Sequence, residues 1–225
     1  MPIGRLKIIV LSAVFATTVS FLNVARAATF GFDAITSNDV ADIPVGESQL
    51  FVDVANHGSN QVLFTFRNTG PDASSITDVY FDDRTPANLT GIASIINGTG
   101  VSFSQGATPG ELPSANNASP AFVTTTDFLA DSDPPAQPNG VNPGESLGLV
   151  FNLVSGMTVD DVVAALISGI DLRIGIHVQG FASGGSESFV NDPSPVPLPA
   201  ALPLFLTMLG GIGLLRWKRR RAVAA

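Results

Sequence analysis

Apolar and polar residues alternate one for one over several short stretches of this chain. Leu50, Val52 and Val54 alternate with Phe51 and Asp53, and Val62, Phe64 and Phe66 alternate with Leu63, Thr65 and Arg67. A period of two puts successive side chains on opposite faces of an extended strand, so each stretch reads as a strand with one apolar face. Residues 56–60 between them have a turn composition, and Asn68-Thr69-Gly70-Pro71-Asp72 closes the second run. The pair predicts a β-hairpin. Leu172, Ile174, Ile176 and Val178, set against Arg173, Gly175, His177 and Gln179, give the cleanest alternation, and apolar runs over 76–81 and 147–154 predict two further strands.

One segment follows another period. Val159, Val162, Val163, Leu166 and Ile167 recur at three- and four-residue spacing, with Thr158 able to cap the start and Gly169 to close the end, which predicts one short helix. Residues 105–144 are rich in Pro, Asn, Ala, Ser and Asp and read as a long loop in which only 121–129 looks strand-like. Many short strands, a single helix and no alternation of strand with helix predict a mostly β fold. The expected architecture is an antiparallel β-sandwich, Ig-like or jelly-roll-like, over residues 28–192.

Both ends of the chain break from this pattern. Residues 1–27 carry basic Arg5 and Lys7, a mostly apolar run over 8–22, and Ala25-Arg26-Ala27 followed by Ala28. That is the three-part order of a secretory signal peptide with an A-x-A cleavage site. As a helix, the run reaches only about 22 Å against a hydrocarbon core of ~30 Å, so it suits a removed leader better than a retained anchor. At the other end, a Pro-rich linker (193–199) leads into an apolar stretch (200–215) and then a basic tail (216–225) containing Arg216, Lys218, Arg219, Arg220 and Arg221. A basic cluster after an apolar stretch stays in the cytoplasm, which places the preceding residues across the membrane. At roughly 24 Å, with Pro203, Gly210, Gly211 and Gly213 in it, the stretch is a weak permanent transmembrane helix.

Val196-Pro197-Leu198-Pro199-Ala200, the apolar stretch and the Arg-rich end resemble, in that order, the VPLPA variant of the PEP-CTERM sorting signal. That signal is found on exported proteins of Gram-negative and related bacteria that make exopolysaccharide. The resemblance covers about 30 residues plus the signal peptide, and departs from the family only in the shortness of the stretch and in Pro203. It implies recognition by an exosortase, a membrane-embedded transpeptidase that removes the tail and passes the protein toward the cell surface. Pro197 and Pro199 suit such a motif physically, because proline denies the segment a helix and holds it extended.

Composition sharpens the picture at two points. The chain has no cysteine, which removes disulfides, thiolate metal sites and a cysteine nucleophile. Between residues 28 and 199 there are only Arg67, Arg84 and Arg173 against all nineteen acidic residues, a net charge of minus 16. A body that acidic repels phosphate backbones, so nucleic acid is not an expected partner.

Candidate chemistry is sparse. The only histidines are His57, in a turn, and His177, on the polar side of a strand, and there is no G-x-S-x-G, phosphate-binding or H-E-x-x-H motif. An enzyme is not expected; a glycoside hydrolase built on paired carboxylates is the distant alternative. No cofactor is called for, and calcium is the ligand the acids offer best. Asp78, Asp82 and Asp83, with Asp131 and Asp133 as a second cluster, bring hard oxygens beside loops, although neither has the spacing of an EF-hand. The plainer reading is that these acids keep an exported protein soluble. Asn88, Asn97 and Asn117 begin acceptor triplets for glycosylation that Asn- and Ser-rich loops also produce by chance. The expectation is therefore an exported surface or matrix protein, structural or adhesive, handled by signal peptidase and an exosortase-type transpeptidase and associated with extracellular polysaccharide or surface proteins. The runner-up is a calcium-dependent glycan- or protein-binding module.

Overall fold

The hairpin expected around residues 50–66 forms as two paired strands, β2 (Leu50–Asn56) and β3 (Gln61–Asn68), with Val52 opposite Phe66 and Val54 opposite Phe64. Their alternate residues Val52, Val54, Val62, Phe64 and Phe66 are fully buried. A computed structural model describes residues 28–85 and 87–196 of the chain. The remaining strands are β1 (Ala28–Ala34), β4 (Ser75–Asp83), β5 (Leu89–Asn97), β6 (Phe103–Gln105), β7 (Leu129–Ser132), β8 (Ser146–Leu153), β9 (Leu172–Gln179) and β10 (Glu187–Val196). All ten pair antiparallel in one sheet, in the order β5-β8-β3-β2-β1-β10-β9-β4-β7-β6.

Phenylalanines fold this sheet over on itself. Phe81 on β4 meets Phe64 on β3 at 5.0 Å between ring centres and Phe151 on β8 at 4.6 Å, although β4 lies far from both strands in the sheet order. Phe66 and Phe128 complete the cluster, at 6.4 Å from Phe81 and 5.4 Å from Phe151. Such edge-to-face contacts add to the burial of the rings themselves. The two terminal strands of the sheet also approach each other: the Asn97 carboxamide, at the end of β5, bonds both the N–H and the carbonyl of Phe103 on β6.

The expected helix is α3 (Val159–Ser168). Thr158 and Asp161 form a reciprocal capping box, Gly169 ends the helix at φ 68, and Val159, Val162, Ala165 and Leu166 face the core. Expecting one helix only was an undercount. Among the described residues there are also α1 (Asp42–Gln49) and α2 (Ala136–Asn139). Neither shows an apolar stripe at helical spacing. What fixes α1 is Gly46, whose missing side chain makes room for the Phe189 ring.

Two boundaries differ from expectation. The strand in the long loop is Leu129–Ser132 rather than 121–129; residues 121–128 carry no strand pairing and bury Phe122 and Phe128 instead. The Pro-rich linker expected from residue 193 is in its first four residues part of β10, pairing with β1 through Phe30 opposite Pro195 and Thr29 opposite Val196. Proline cannot donate to a ladder, and it is tolerated here because β9 pairs with β10 only as far as Val190.

The expected signal peptide (1–27), transmembrane helix (200–215) and basic tail (216–225) lie outside the described residues. Among those described, no helix is long and apolar enough to cross a membrane.

Replacing Phe81 with Ala should lower the unfolding free energy by about 3–5 kcal/mol, because the ring packs against Phe64, Phe66 and Phe151 from β3 and β8. Thr158→Ala, which removes one cap, should cost only about 1 kcal/mol. Urea midpoints at constant slope measure both, and equal losses would deny the ring cluster its central place.

Candidate functional site

Strand register assembles a polar row that spacing along the chain does not reveal. On β4, Asp78 lies opposite Asp131 of β7 on one side and opposite His177 of β9 on the other. The row continues to Ser104 on β6 and Ser188 on β10. Asp78 is 3% exposed. Its Oδ2 accepts from the Thr77 hydroxyl at 2.8 Å and faces His177 Nδ1 at 3.3 Å. The Tyr80 hydroxyl donates to the Pro109 carbonyl at 2.9 Å and lies 3.4 Å from Asp78 Oδ1. Leu112 and Phe122, from the long loop, pack with Tyr80 above this part of the sheet.

The electrostatics follow from this crowding. Burial, and then the neighbouring Asp78 carboxylate, push the Asp131 carboxyl above its ordinary value. Burial, and then Asp78 and Asp131, push the Tyr80 phenol well above its own. Asp133 moves the other way, because the Ser102 and Ser104 hydroxyls donate to it. Asp131 and Asp133 line an open cavity of about 340 Å³ with Ser104, Gln105 and Thr108. Chemically, burial beside the Asp78 carboxylate disfavours charge on Asp131, while the cavity offers carboxylate oxygens that face solvent.

Asp82 serves a different purpose. It accepts from Arg84 at 3.0 Å, from the buried Arg173, and from the Val123 N–H at 3.1 Å. Both arginines also hold the loop through the carbonyl of Ala121, and Arg173 through that of Pro120. The Phe122 ring lies 5.2 Å from the Arg173 guanidinium carbon. The third arginine of this region, Arg67, pairs with Asp53 at 2.5 Å. Asp83 is occupied as well, accepting from the N–H groups of Asn88 and Leu89 and from the Asn88 carboxamide.

Asp78, Asp82 and Asp83, offered together as calcium ligands, therefore do not converge. Asp78 belongs to the polar row, Asp82 to the two arginines and Asp83 to the start of β5. Among the described residues no group of three or more His, Cys, Asp or Glu side chains is placed to hold a metal ion. Pairing across strands, which decides these partners, leaves no trace in the spacing of the three acids. No known protein family, curated protein or solved structure matches this chain.

Of the expected processing residues, Ala28 opens β1 and Val196 closes β10. Ala25, Ala27, Pro197, Leu198, Pro199, Ala200, Arg216, Lys218, Arg219, Arg220 and Arg221 lie outside the described residues. The glycosylation triplets are unequal: the Asn88 side chain is buried against Asp83, while Asn97 and Asn117 spend their carboxamides on Phe103 and Ile35.

The fold raises the Asp131 carboxyl above its unfolded value, so it disfavours the charged form. The resulting cost is absent below the unfolded carboxyl value, grows as the pH rises from there to the folded value, and is complete above it. Asp131→Asn should thus raise Tm by a few degrees near pH 7 and leave it unchanged near pH 3, read by thermal melts. Asp82→Ala should cost about 3–5 kcal/mol, because it strands a buried guanidinium.

Proposed function

We propose that the chain is an exported, non-catalytic protein of the bacterial cell surface or extracellular matrix, sorted through its C-terminus. The observation that carries this reading is the ordered run of Val196-Pro197-Leu198-Pro199-Ala200, apolar stretch and basic cluster. On this reading signal peptidase cuts before Ala28 and an exosortase-type transpeptidase removes the tail. The acidic domain then works as a structural or adhesive component among secreted polysaccharide. The pairing of Thr29 with Val196 supports it, since both processed ends leave the domain side by side. The folded-over sheet is read here as a sandwich of jelly-roll-like or Ig-like kind, with its large apolar core supporting a durable extracellular scaffold.

A second reading, a calcium-dependent glycan- or protein-binding module, is favoured by the cavity that Asp131 and Asp133 line. It requires calcium, and not magnesium, to raise Tm at millimolar concentration, since magnesium keeps its waters and demands tight geometry. Equal effects of the two ions would mean screening of the acidic surface.

Sorting is tested by replacing Pro197 and Pro199 together with Ala, which lets the motif coil into helix. In the native host the double variant should accumulate as an unprocessed, membrane-bound precursor on fractionation. Normal maturation of the variant would remove the main support for the sorting reading.

A further inference from the structure

The chain enters and leaves this domain at one corner, and that corner exposes three large apolar side chains. Thr29 at the start of β1 and Val196 at the end of β10 are paired residues, so the chain enters and leaves at the same end of the sheet. Gly169, which ends α3, packs against Pro193 of β10. The next residues, Ile170 and Asp171, lead into β9 at this same end. Here α3, the turn after it and β10 expose Ile167, Ile170 and Val196 respectively, three of the six large apolar side chains left exposed among the described residues.

Chain dimensions decide what this corner faces while the tail is attached. From Val196 to Ala200, where the apolar stretch begins, four residues reach at most about 14 Å. A domain of this length has a radius of gyration of roughly 15 Å, so its outer radius exceeds the tether. A tether that short cannot let the domain turn its far side to the bilayer. The face beside β10's end is held against it.

The geometry points to this corner as a lipid-contacting surface: Ile167 and Ile170 rest in the headgroup layer of the bilayer that anchors the precursor. The inference rests on the anchored-precursor reading above. Its chemistry is apolar burial rather than charge attraction. The nearest basic residues, Arg84 and Arg173, are committed to Asp82, and Asp171 and Asp192 at this end would be repelled by anionic lipid. The contact should therefore persist in high salt. Removal of the tail would release the corner, because two isoleucines alone bind a bilayer weakly.

The absence of cysteine makes the test clean. Full-length chains carrying Ile167→Cys, Ile170→Cys or, at the opposite end of β10, Val40→Cys can each be labelled at one exposed position with an environment-sensitive fluorophore. They are reconstituted into vesicles of phosphatidylethanolamine and phosphatidylglycerol containing a headgroup-level nitroxide lipid. Quenching at 167 and 170 several-fold above that at 40, unchanged by added salt, is the expected result. If the chains float with the vesicles while 167 and 170 are quenched no more than 40, the contact is refuted and the anchoring reading stands. If the chains do not float with the vesicles, the anchoring reading fails and takes the contact with it. Cross-linking between copies through Ile170→Cys without quenching would assign the corner to a second copy and overturn the proposal.

Discussion

Phe81 touching Phe64, Phe66 and Phe151 is the contact on which the rest of the molecule depends. Ten strands in one sheet leave two large faces, and a sheet this acidic and this poor in helices has little to cover either of them. Folding the sheet so that β3 and β8 face β4 buries one face against itself. The rings at that meeting point give the fold its apolar core without a helical layer. Because the sheet is continuous through β1 and β10, the fold also brings the two ends of the domain together.

Electrostatics then divides the labour among few cations and many acids. All three arginines between residues 28 and 199 are paired, Arg67 with Asp53 and the other two with Asp82. Arg84 and Arg173 pin the loop around Ala121 over the sheet, which is why a segment with no strand pairing still buries Phe122. Of the acids left without a basic partner, Asp42 and Glu187 are buried in hydrogen bonds with Ser183 and Thr36, and most of the others lie at the surface and make it strongly negative.

Where one face of a strand is buried, the sequence is legible. In β2 and β3 every second residue up to the closing asparagine is apolar and buried even though Phe51 and Leu63 lie on the other face, in β9 the apolar residues alternate with Arg173, Gly175, His177 and Gln179, and α3 carries its cap, its stripe and its closing glycine within twelve residues. β1 and β10 were missed for a physical reason: Gly31 interrupts one, and Asp192, Pro193 and Pro195 fill the other, so their pairing comes from neighbours rather than from propensity. α1 carries no apolar stripe to give it away: Gly46 leaves room for the Phe189 ring, and hydrogen bonds of Asp42 with Ser183 and of Gln49 with Asp72 and Ser74 tie the helix down. The polar row of Asp131, Asp78 and His177 depends on three strands distant in sequence, and only their register reveals it. The proposed sorting motif is legible in the opposite sense, since its features lie in order along the chain and need no tertiary structure to be read.

The export and sorting reading is tested most directly by intact-mass spectrometry of the protein recovered from the envelope or medium of the native host. The predicted mass corresponds to a chain that begins at Ala28 and ends within or just before the Val196-Pro197-Leu198-Pro199-Ala200 segment, with any added group on the new C-terminus. A mass that retains residues 201–225, or one that begins at Met1, would contradict it.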